Sequence, residues 1–225
     1  MMARALRCVL LGLLISLLSA CSIFNNPILQ TIQHATNSTG VKSKVSLSPN
    51  FQYLRVVEAG RVLYLVLGNV DVDTAGERVN VWYSATGEVL RIRDGHVVGA
   101  TGLFTEWRNV NMPLLPSWSK LASSGKPYIW MRNRDVMPSY QYGIKDTMVL
   151  RKISPPRQNN LKNITANQLV WFEEDDISKL NPLPPARFAV ADGHVEYSEV
   201  CLDNKLCFSW QRWPTIASKA NNEPR

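Results

Sequence analysis

Cysteine, histidine and long apolar runs are scarce in this chain of 225 residues, and each scarcity excludes a class of protein. There are 4 cysteines and 3 histidines. No CxxC or HxxxH pair occurs, so a zinc site with four ligands is not expected. No GxSxG motif is present to expose a serine nucleophile. The basic residues are scattered, with no arginine run, which disfavours nucleic acid as a partner.

The longest apolar run, Val9 to Leu18, has about half of the roughly 20 residues that a helix needs to cross a bilayer core. Two arginines precede it and small residues follow, the pattern of a secretory signal peptide. Residues 18–21, Leu-Ser-Ala-Cys, resemble the bacterial lipobox, in which cleavage precedes a diacylglyceryl cysteine. We therefore predict that residues 1–20 are a lipoprotein signal peptide and that Cys21 is lipidated. The alternative is an ordinary signal peptide cut elsewhere, with a stray cysteine nearby.

The residue after the lipidated cysteine bears on location. Lipoproteins retained in the inner membrane usually have aspartate there, and this chain has Ser22. The resemblance to sorted lipoproteins therefore implies the periplasmic face of the outer membrane. Several acyl chains anchor a protein firmly, because each buried methylene contributes about 0.8 kcal/mol.

Composition divides the remaining chain into three parts. Residues 21–50 are rich in Asn, Ser, Thr and Gln and predict a flexible, lipidated tether. Residues 51–218 are long enough for a single β-rich periplasmic domain with its own core. Residues 219–225 are polar and predict a disordered tail.

The predicted domain has the sequence pattern of β-structure, with short runs of Val, Leu, Tyr and Trp separated by glycine-containing turns. Candidate turns are Ala59-Gly60, Thr86-Gly87, Asp94-Gly95 and Asp192-Gly193, the last two being strong hairpin signals. We predict an all-β fold of antiparallel hairpins, as a sandwich or partly closed barrel with at most a few short helices. The one good helical candidate in this part of the chain is residues 165–180.

Only two cysteines remain once Cys8 leaves with the signal peptide and Cys21 is acylated. In an oxidising periplasm Cys201 and Cys207 are expected to form a disulfide that staples a hairpin or its turn. Zinc is the rival partner for this pair, but the sequence offers no further ligands at suitable spacing.

The charge balance is positive, with 25 Lys and Arg against 18 Asp and Glu, for a net charge of +7. Such a surface attracts polyanions, so acidic polysaccharide or anionic headgroups are candidate partners. A solvated basic surface without a specific ligand is the alternative.

Three motifs invite a catalytic or metal-binding interpretation. The Asp-Gly-His triplets at residues 94–96 and 192–194 could hold a general base, but their spacing favours two hairpin turns. Residues 173–176 are four consecutive carboxylates whose side chains point apart, as expected of a solvated helix face or loop. Residues 71–77 have the Asp-x-Asp followed by glycine that begins a calcium loop. They lack the remaining spaced oxygen ligands and the final glutamate of an EF-hand loop, which favours a β-turn. We assign no catalytic residue, no metal site and no cofactor.

The seven tryptophans have the largest apolar side chains in the sequence. Most of them should fill the interior, the usual fate of so much apolar area. Others can line a concave face, where flat rings stack on sugars or hold an apolar chain.

Several stretches together resemble the YjbF/GfcB family of outer-membrane lipoproteins, encoded with group 4 capsule and exopolysaccharide genes. They are "FQYLRV", "LVLGNVD", "VWYSATGEVLRIRDGHVVGATGL" and "YSEVCLDNKLCFSWQRW", behind the lipobox. The most telling positions lie in one hairpin: Gly95, Val97, Val98, Thr101, Gly102 and Leu103. The family often has Gly-Arg at this turn, where His96 stands here.

The resemblance implies an all-β periplasmic lipoprotein that helps to assemble or export an extracellular polysaccharide. Its partners would be a β-barrel outer-membrane protein and a second periplasmic protein from the same operon. It implies no catalytic residues, so we expect a non-enzymatic accessory factor. Two alternatives stay open: a carrier of lipid or lipoprotein with an apolar concave face, and an enzyme that trims the polymer.

Overall fold

A computed structural model describes residues 47–178 and 182–215 of the protein. Cys21, the predicted signal peptide, nearly all of the tether and the tail lie outside the described residues. The strands, in chain order, are β1 Tyr53–Glu58, β2 Arg61–Val72, β3 Arg78–Tyr83, β4 Val89–Arg93, β5 His96–Thr101, β6 Glu106–Asn111, β7 Tyr128–Met137, β8 Gln141–Ile153, β9 Val170–Asp176, β10 Ala186–Ala191, β11 His194–Cys201 and β12 Cys207–Trp213. Across the two described ranges, no helix combines the length and the apolar character needed to cross a membrane.

The strands form a closed, antiparallel, up-and-down barrel. Each strand pairs with its neighbours in the sequence, and β1 also pairs with β12, from Tyr53 opposite Trp213 to Glu58 opposite Phe208. The prediction of an all-β fold is confirmed, and closure leaves none of these strands with an unpaired edge. Successive connections between strands therefore lie at the two ends of the barrel in turn. We call the end where β1 begins and β12 finishes the terminal end, and the other the opposite end.

The two Asp-Gly hairpins form as predicted and meet at the terminal end. Asp94 and Gly95 have φ of 44° and 89°, and Asp192 and Gly193 have φ of 50° and 77°. Both central residues are left-handed, as in the type I′ turns that match the twist of antiparallel strands. A side chain at Gly95 would collide with Val195 at the start of β11, so glycine allows the two hairpins to pack together.

Apolar side chains fill the barrel interior. The main cluster includes buried residues from five strands: Leu54, Trp82, Trp107, Phe172, Phe208 and Trp210. Six of the seven tryptophans are buried, which confirms that most of them serve as core. The centre of the barrel is therefore a packed core rather than a channel.

The predicted helix over residues 165–180 is wrong. Residues Ala166–Gln168 form one 3₁₀ turn and Val170–Asp176 form β9. This strand pairs with β8 on one side and β10 on the other. Valine and aromatic residues favour such a doubly paired, half-buried position, and these tertiary contacts override the helical pattern.

The α-helix of the described chain lies elsewhere, in the connection between β6 and β7. This helix, α1, spans Trp118–Ser124. The Ser117 hydroxyl accepts a hydrogen bond from the backbone N–H of Lys120, and Gly125 ends the helix in the left-handed conformation. Trp118 at its start is 2% exposed and packs among the rings of the core. The connection thus covers part of the terminal end.

The long connection from β8 to β9 lies across the outside of the barrel. The side-chain amide of Gln211 exchanges hydrogen bonds of 3.0 and 2.8 Å with the backbone of Lys162. The Tyr197 hydroxyl accepts from the backbone N–H of Asn160 at 2.9 Å, and Arg55 donates to the Asn160 carbonyl at 3.0 Å. Polar residues on the outer face of the sheet therefore bind this connection through its backbone.

Candidate functional site

The predicted disulfide between Cys201 and Cys207 is present. It joins the last residue of β11 to the first residue of β12 across a tight turn at the opposite end. The pair staples one hairpin, as expected from its short spacing, and it leaves no thiol for catalysis or metal binding there. Within the described ranges, no group of three His, Cys, Asp or Glu side chains is placed to hold a metal ion.

An open cavity of about 550 Å³ lies at the terminal end, between the β2–β3, β4–β5 and β10–β11 hairpins. We call it the end cavity. Its volume falls in the range of about 300 to 1,000 Å³ that is usual for small-ligand sites. Its apolar lining comes from β2 and from the β6–β7 connection: Leu67, Val70, Met112, Leu114 and Leu115.

The polar lining of the end cavity includes groups whose side chains form no hydrogen bond or ion pair in the part of the chain that the structure describes. Two carboxamides, one carboxylate, one guanidinium and one imidazole share this property. They belong to Gln52, Asn80, Glu77, Arg78 and His194. The Arg212 guanidinium also lines the cavity, and its Nε donates to the Val195 carbonyl at 2.9 Å. Donors and acceptors are therefore interspersed around one open space.

Arg93 and Asp73 form the rigid part of the rim. Their side chains are ion-paired, and the second guanidinium nitrogen of Arg93 donates to the carbonyls of Met112 and Pro113 at 2.9 and 2.8 Å. The Asp73 carboxylate also accepts from the backbone N–H groups of Ala75 and Glu77 at 2.8 and 2.9 Å. The predicted β-turn over residues 71–77 is therefore held by the Asp73 carboxylate through backbone hydrogen bonds.

Asp94 lies where the cavity meets the core. Its carboxylate accepts a 3.0 Å hydrogen bond from the Trp118 indole N–H. Burial raises the pKa of the Asp94 carboxyl above its ordinary value of 3.8, although the neighbouring His96 and the Trp118 N–H act in the opposite direction. The hairpin turn therefore places a carboxyl group with an elevated pKa beside the cavity.

His96 forms the inner wall of the same cavity. Its ring stacks on Trp118, with centroids 5.6 Å apart and an interplanar angle of 10°. Its Nε2 lies 3.1 Å from Glu174 Oε2, which also accepts from the Trp130 indole N–H at 3.2 Å. The Nδ1 atom of His96 is buried without a hydrogen-bond partner among the described residues. The two Asp-Gly-His triplets are turns, as predicted, yet one histidine is also built into a buried polar cluster.

The prediction that residues 173–176 form a solvated helix face or loop is wrong. Their side chains alternate between the two faces of β9. Glu174 and Asp176 are buried inside the barrel, whereas Glu173 and Asp175 pair with Arg151 on the outside. Strand geometry separates neighbours onto opposite faces, so adjacent carboxylates have unlike environments.

A second buried charge cluster lies nearer the opposite end. Asp146 accepts from Arg132 Nε at 2.8 Å and from Arg134 Nε at 2.6 Å. Both guanidinium groups also stand over the Trp107 ring, at 4.5 and 5.0 Å from its centroid. Asp146, the two arginines and the Trp107 ring are therefore partners of one another, and this cluster serves the structure of the barrel interior.

No protein-family profile and no curated protein match this chain. Among solved structures, it is similar to the hypothetical lipoprotein YmcC from Escherichia coli (K12). The TM-score is 0.49 and the sequence identity 14%, and the match covers 72% of this chain and 83% of that one.

Sequence patterns did not identify Gln52, Arg78, Asn80 or Arg212 as residues of one site. Gln52 directly precedes β1, Arg78 and Asn80 lie in β3, and Arg212 lies in β12. The barrel brings these segments to one cavity at its terminal end. The only sequence signal was the position of each residue near the end of a predicted strand, where open ligand sites of barrels are found.

Proposed function

We propose that this chain is a lipoprotein anchored through Cys21 to the periplasmic face of the outer membrane. There it acts as a non-enzymatic accessory factor in the assembly or export of a capsule or exopolysaccharide. The lipobox-like residues 18–21 and the resemblance to YjbF/GfcB lipoproteins support the location and the process. The observation that carries a role in handling polysaccharide is the end cavity.

The chemistry of the end cavity suits a sugar. Sugar hydroxyls both donate and accept hydrogen bonds, so they are best matched by mixed groups such as Asn80, Gln52 and Glu77. The C–H faces of a sugar ring need apolar contact, which Leu67 and Leu115 supply. A cavity that is open to solvent can also take one residue of a long polymer without enclosing its ends.

Surface polysaccharide yield tests the process. Deleting the gene should reduce polysaccharide at the cell surface, and the wild-type chain should restore it. Gln52→Ala combined with Asn80→Ala should restore less, because both amides that face a sugar are lost. Asn133→Ala is the matched control, since this amide is exposed on β7 and lies outside the cavity. An unchanged yield and composition after deletion would contradict the proposal.

Metabolic labelling with a clickable palmitate tests the anchor. Wild-type protein should be labelled and should fractionate with the outer membrane. Cys21→Ala should abolish labelling, whereas Cys8→Ala, in the predicted signal peptide, should keep it. Label that persists in Cys21→Ala rules out this anchor.

Cross-linking in cells tests the partners. Chain purified with its lipids intact should carry an outer-membrane β-barrel protein and a periplasmic protein of the same operon, identified by mass spectrometry. The Cys21→Ala variant should lose the outer-membrane partner, because its domain is no longer held at the leaflet. Recovery of neither protein with wild type would count against this part of the proposal.

An enzyme that trims the polymer is a second candidate, because Glu77 and Asp94 place two carboxyl groups at the same cavity. The non-enzymatic proposal expects the chain length of purified polysaccharide to stay unchanged after incubation with the protein, as measured by size-exclusion chromatography. Shortening that disappears in Asp94→Asn would replace the accessory role with catalysis.

A lipid carrier is a third candidate. A cavity of about 470 Å³ at the opposite end has apolar walls from Phe104, Val136, Met137 and Leu183. It does not continue into the barrel, whose centre is packed. We therefore expect no acyl chain other than the covalent ones in lipid extracts of the purified protein, and stoichiometric extra lipid would favour the carrier.

A further inference from the structure

We infer that the end cavity selects an acidic sugar residue, bearing a single carboxylate, with Arg78 and Arg212 holding its charge. This inference rests on the proposed function, because it names the kind of polymer segment that the cavity takes. It adds a charge requirement that a general polysaccharide-binding role does not contain.

The two arginines differ from most others in the described chain. Seven arginines there pair with carboxylates: Arg91, Arg93, Arg108, Arg132, Arg134, Arg151 and Arg187. Neither Arg78 nor Arg212 forms such a pair among the described residues, and both line the same cavity. Arg212 uses its Nε to bind the Val195 carbonyl, which orients the guanidinium and leaves its two terminal nitrogens for a ligand.

An unpaired guanidinium at an open cavity favours a carboxylate ligand. Its planar N–H fork matches the two oxygens of a carboxylate, and such charge-assisted bonds are stronger than those to neutral hydroxyls. The partial burial of Arg212 strengthens the attraction, because water screens it less there. Each of these two arginines can therefore distinguish an acidic sugar from its neutral counterpart.

Glu77 limits the charge that the cavity accepts. Its carboxylate lines the same space and has no ion-pair partner in the described ranges. It can accept a bond from a sugar hydroxyl, but it repels a second negative group nearby. A ligand with one carboxylate and several hydroxyls fits this arrangement better than a phosphate dianion does.

Binding to matched oligosaccharides tests the inference. Lipidated full-length protein in detergent micelles would be titrated with hexamannuronate and with mannohexaose, which differ mainly in having a carboxylate or a hydroxymethyl group on each ring. Isothermal titration calorimetry should give an affinity at least about tenfold higher for hexamannuronate, the effect of one charge-assisted contact. Glycerol 1-phosphate is the third probe, standing for a lipid headgroup, and it should bind more weakly than hexamannuronate.

Variants locate the effect. Arg78→Gln should weaken hexamannuronate binding about tenfold and leave mannohexaose unchanged. Arg212→Gln should do the same, with the thermal midpoint showing that the fold persists. Glu77→Gln should tighten hexamannuronate binding. Arg108→Gln is the control, because this exposed arginine pairs with Glu106 outside the cavity and should change neither affinity.

The outcomes separate this inference from the proposed function. Equal binding of both hexasaccharides would overturn the acidic selectivity and would leave a polysaccharide role standing. Binding of neither, or tighter binding of glycerol 1-phosphate, would also overturn it. A discrimination that survives in the Arg78→Gln, Arg212→Gln double variant would show that other groups hold the acid, which contradicts the assignment. The yield of surface polysaccharide after gene deletion tests the proposed function independently.

Discussion

The Nε2 atom of His96 lies 3.1 Å from Oε2 of Glu174 inside the barrel, although the two residues are 78 positions apart in the chain. The same oxygen accepts the Trp130 N–H, so one buried carboxylate satisfies two aromatic groups. Glu174 is 2% exposed. Removing it would leave both partners without water or protein to replace the bond.

Glu174→Ala should therefore lower the free energy of unfolding by about 3 kcal/mol, since each stranded buried polar group costs roughly 1 to 3 kcal/mol. Glu174→Gln keeps the volume and one acceptor oxygen and should cost less than Glu174→Ala. Urea titration at pH 7 measures both. Glu173→Ala is the control on the outer face, where loss of partly exposed ion pairs should cost about 1 kcal/mol or less. Equal costs for Glu173 and Glu174 would contradict the buried role.

The Trp118 indole supports the terminal end in two ways, through its ring and through its N–H. Trp118→Phe keeps an aromatic ring against His96 but deprives the Asp94 carboxylate of its donor. We expect a loss of about 1 kcal/mol, the usual net contribution of one hydrogen bond, because Asp94 is exposed and water can replace the indole N–H. Trp118→Ala also removes the ring and should cost about 3 to 5 kcal/mol. Chemical denaturation followed by circular dichroism compares the two. A Phe variant as stable as wild type would show that the N–H is unimportant, and a Phe variant as unstable as the Ala variant would show that the ring is.

The elevated pKa of Asp94 predicts a pH dependence with a defined sign. Its folded-state pKa lies above the ordinary 3.8, so its favourable contribution is complete below about pH 4 and is lost as pH rises through the elevated value. Asp94→Asn cannot ionise, and its amide oxygen can still accept from Trp118. The variant should therefore gain stability relative to wild type between pH 4 and pH 7. Urea titrations at both pH values measure this difference. A gain in stability found only at pH 4 would contradict the predicted direction of the pH dependence.

The Cys201–Cys207 disulfide closes a short loop, so its stabilising effect is modest. Chain-entropy arguments for a loop of this length give about 2 kcal/mol. The Cys201→Ala, Cys207→Ala double variant should lose about that much and still fold, because β11 and β12 remain paired. Thermal unfolding with and without reductant gives the same comparison in wild type. A variant that fails to fold would show that the bond determines the hairpin and does more than staple it.

Local features of the fold could be predicted from the sequence, because their causes are local. Asp94-Gly95 and Asp192-Gly193 favour left-handed turns wherever they stand, and alternating apolar residues indicate strands with a buried face. Residues 165–180 show the limit of such patterns. Their apolar and acidic residues suit a helix, but pairing with two neighbouring strands decided the outcome. The α1 helix was missed because its seven residues are too few to show a clear period.

The end cavity could not be predicted, because nothing in the sequence relates the residues that form it. Gln52, Arg78 and Arg212 come to line one cavity only when the barrel closes. Likewise, Glu174 looks like one of four equivalent carboxylates until the strand places it on the inner face, opposite His96. Contacts between distant parts of the chain carry this information, and no local pattern contains it.

The pairing of β1 with β12 imposes an order on the formation of the domain. During synthesis from the N-terminus, the first strand lacks one of its two partners until the last strand has been made. A chain that stops before residue 207 leaves β1 and β11 as bare edges, the surfaces through which unfinished β-proteins associate with one another. Loss of a few C-terminal strand residues should thus harm the whole domain, because the twelve strands share a single ring.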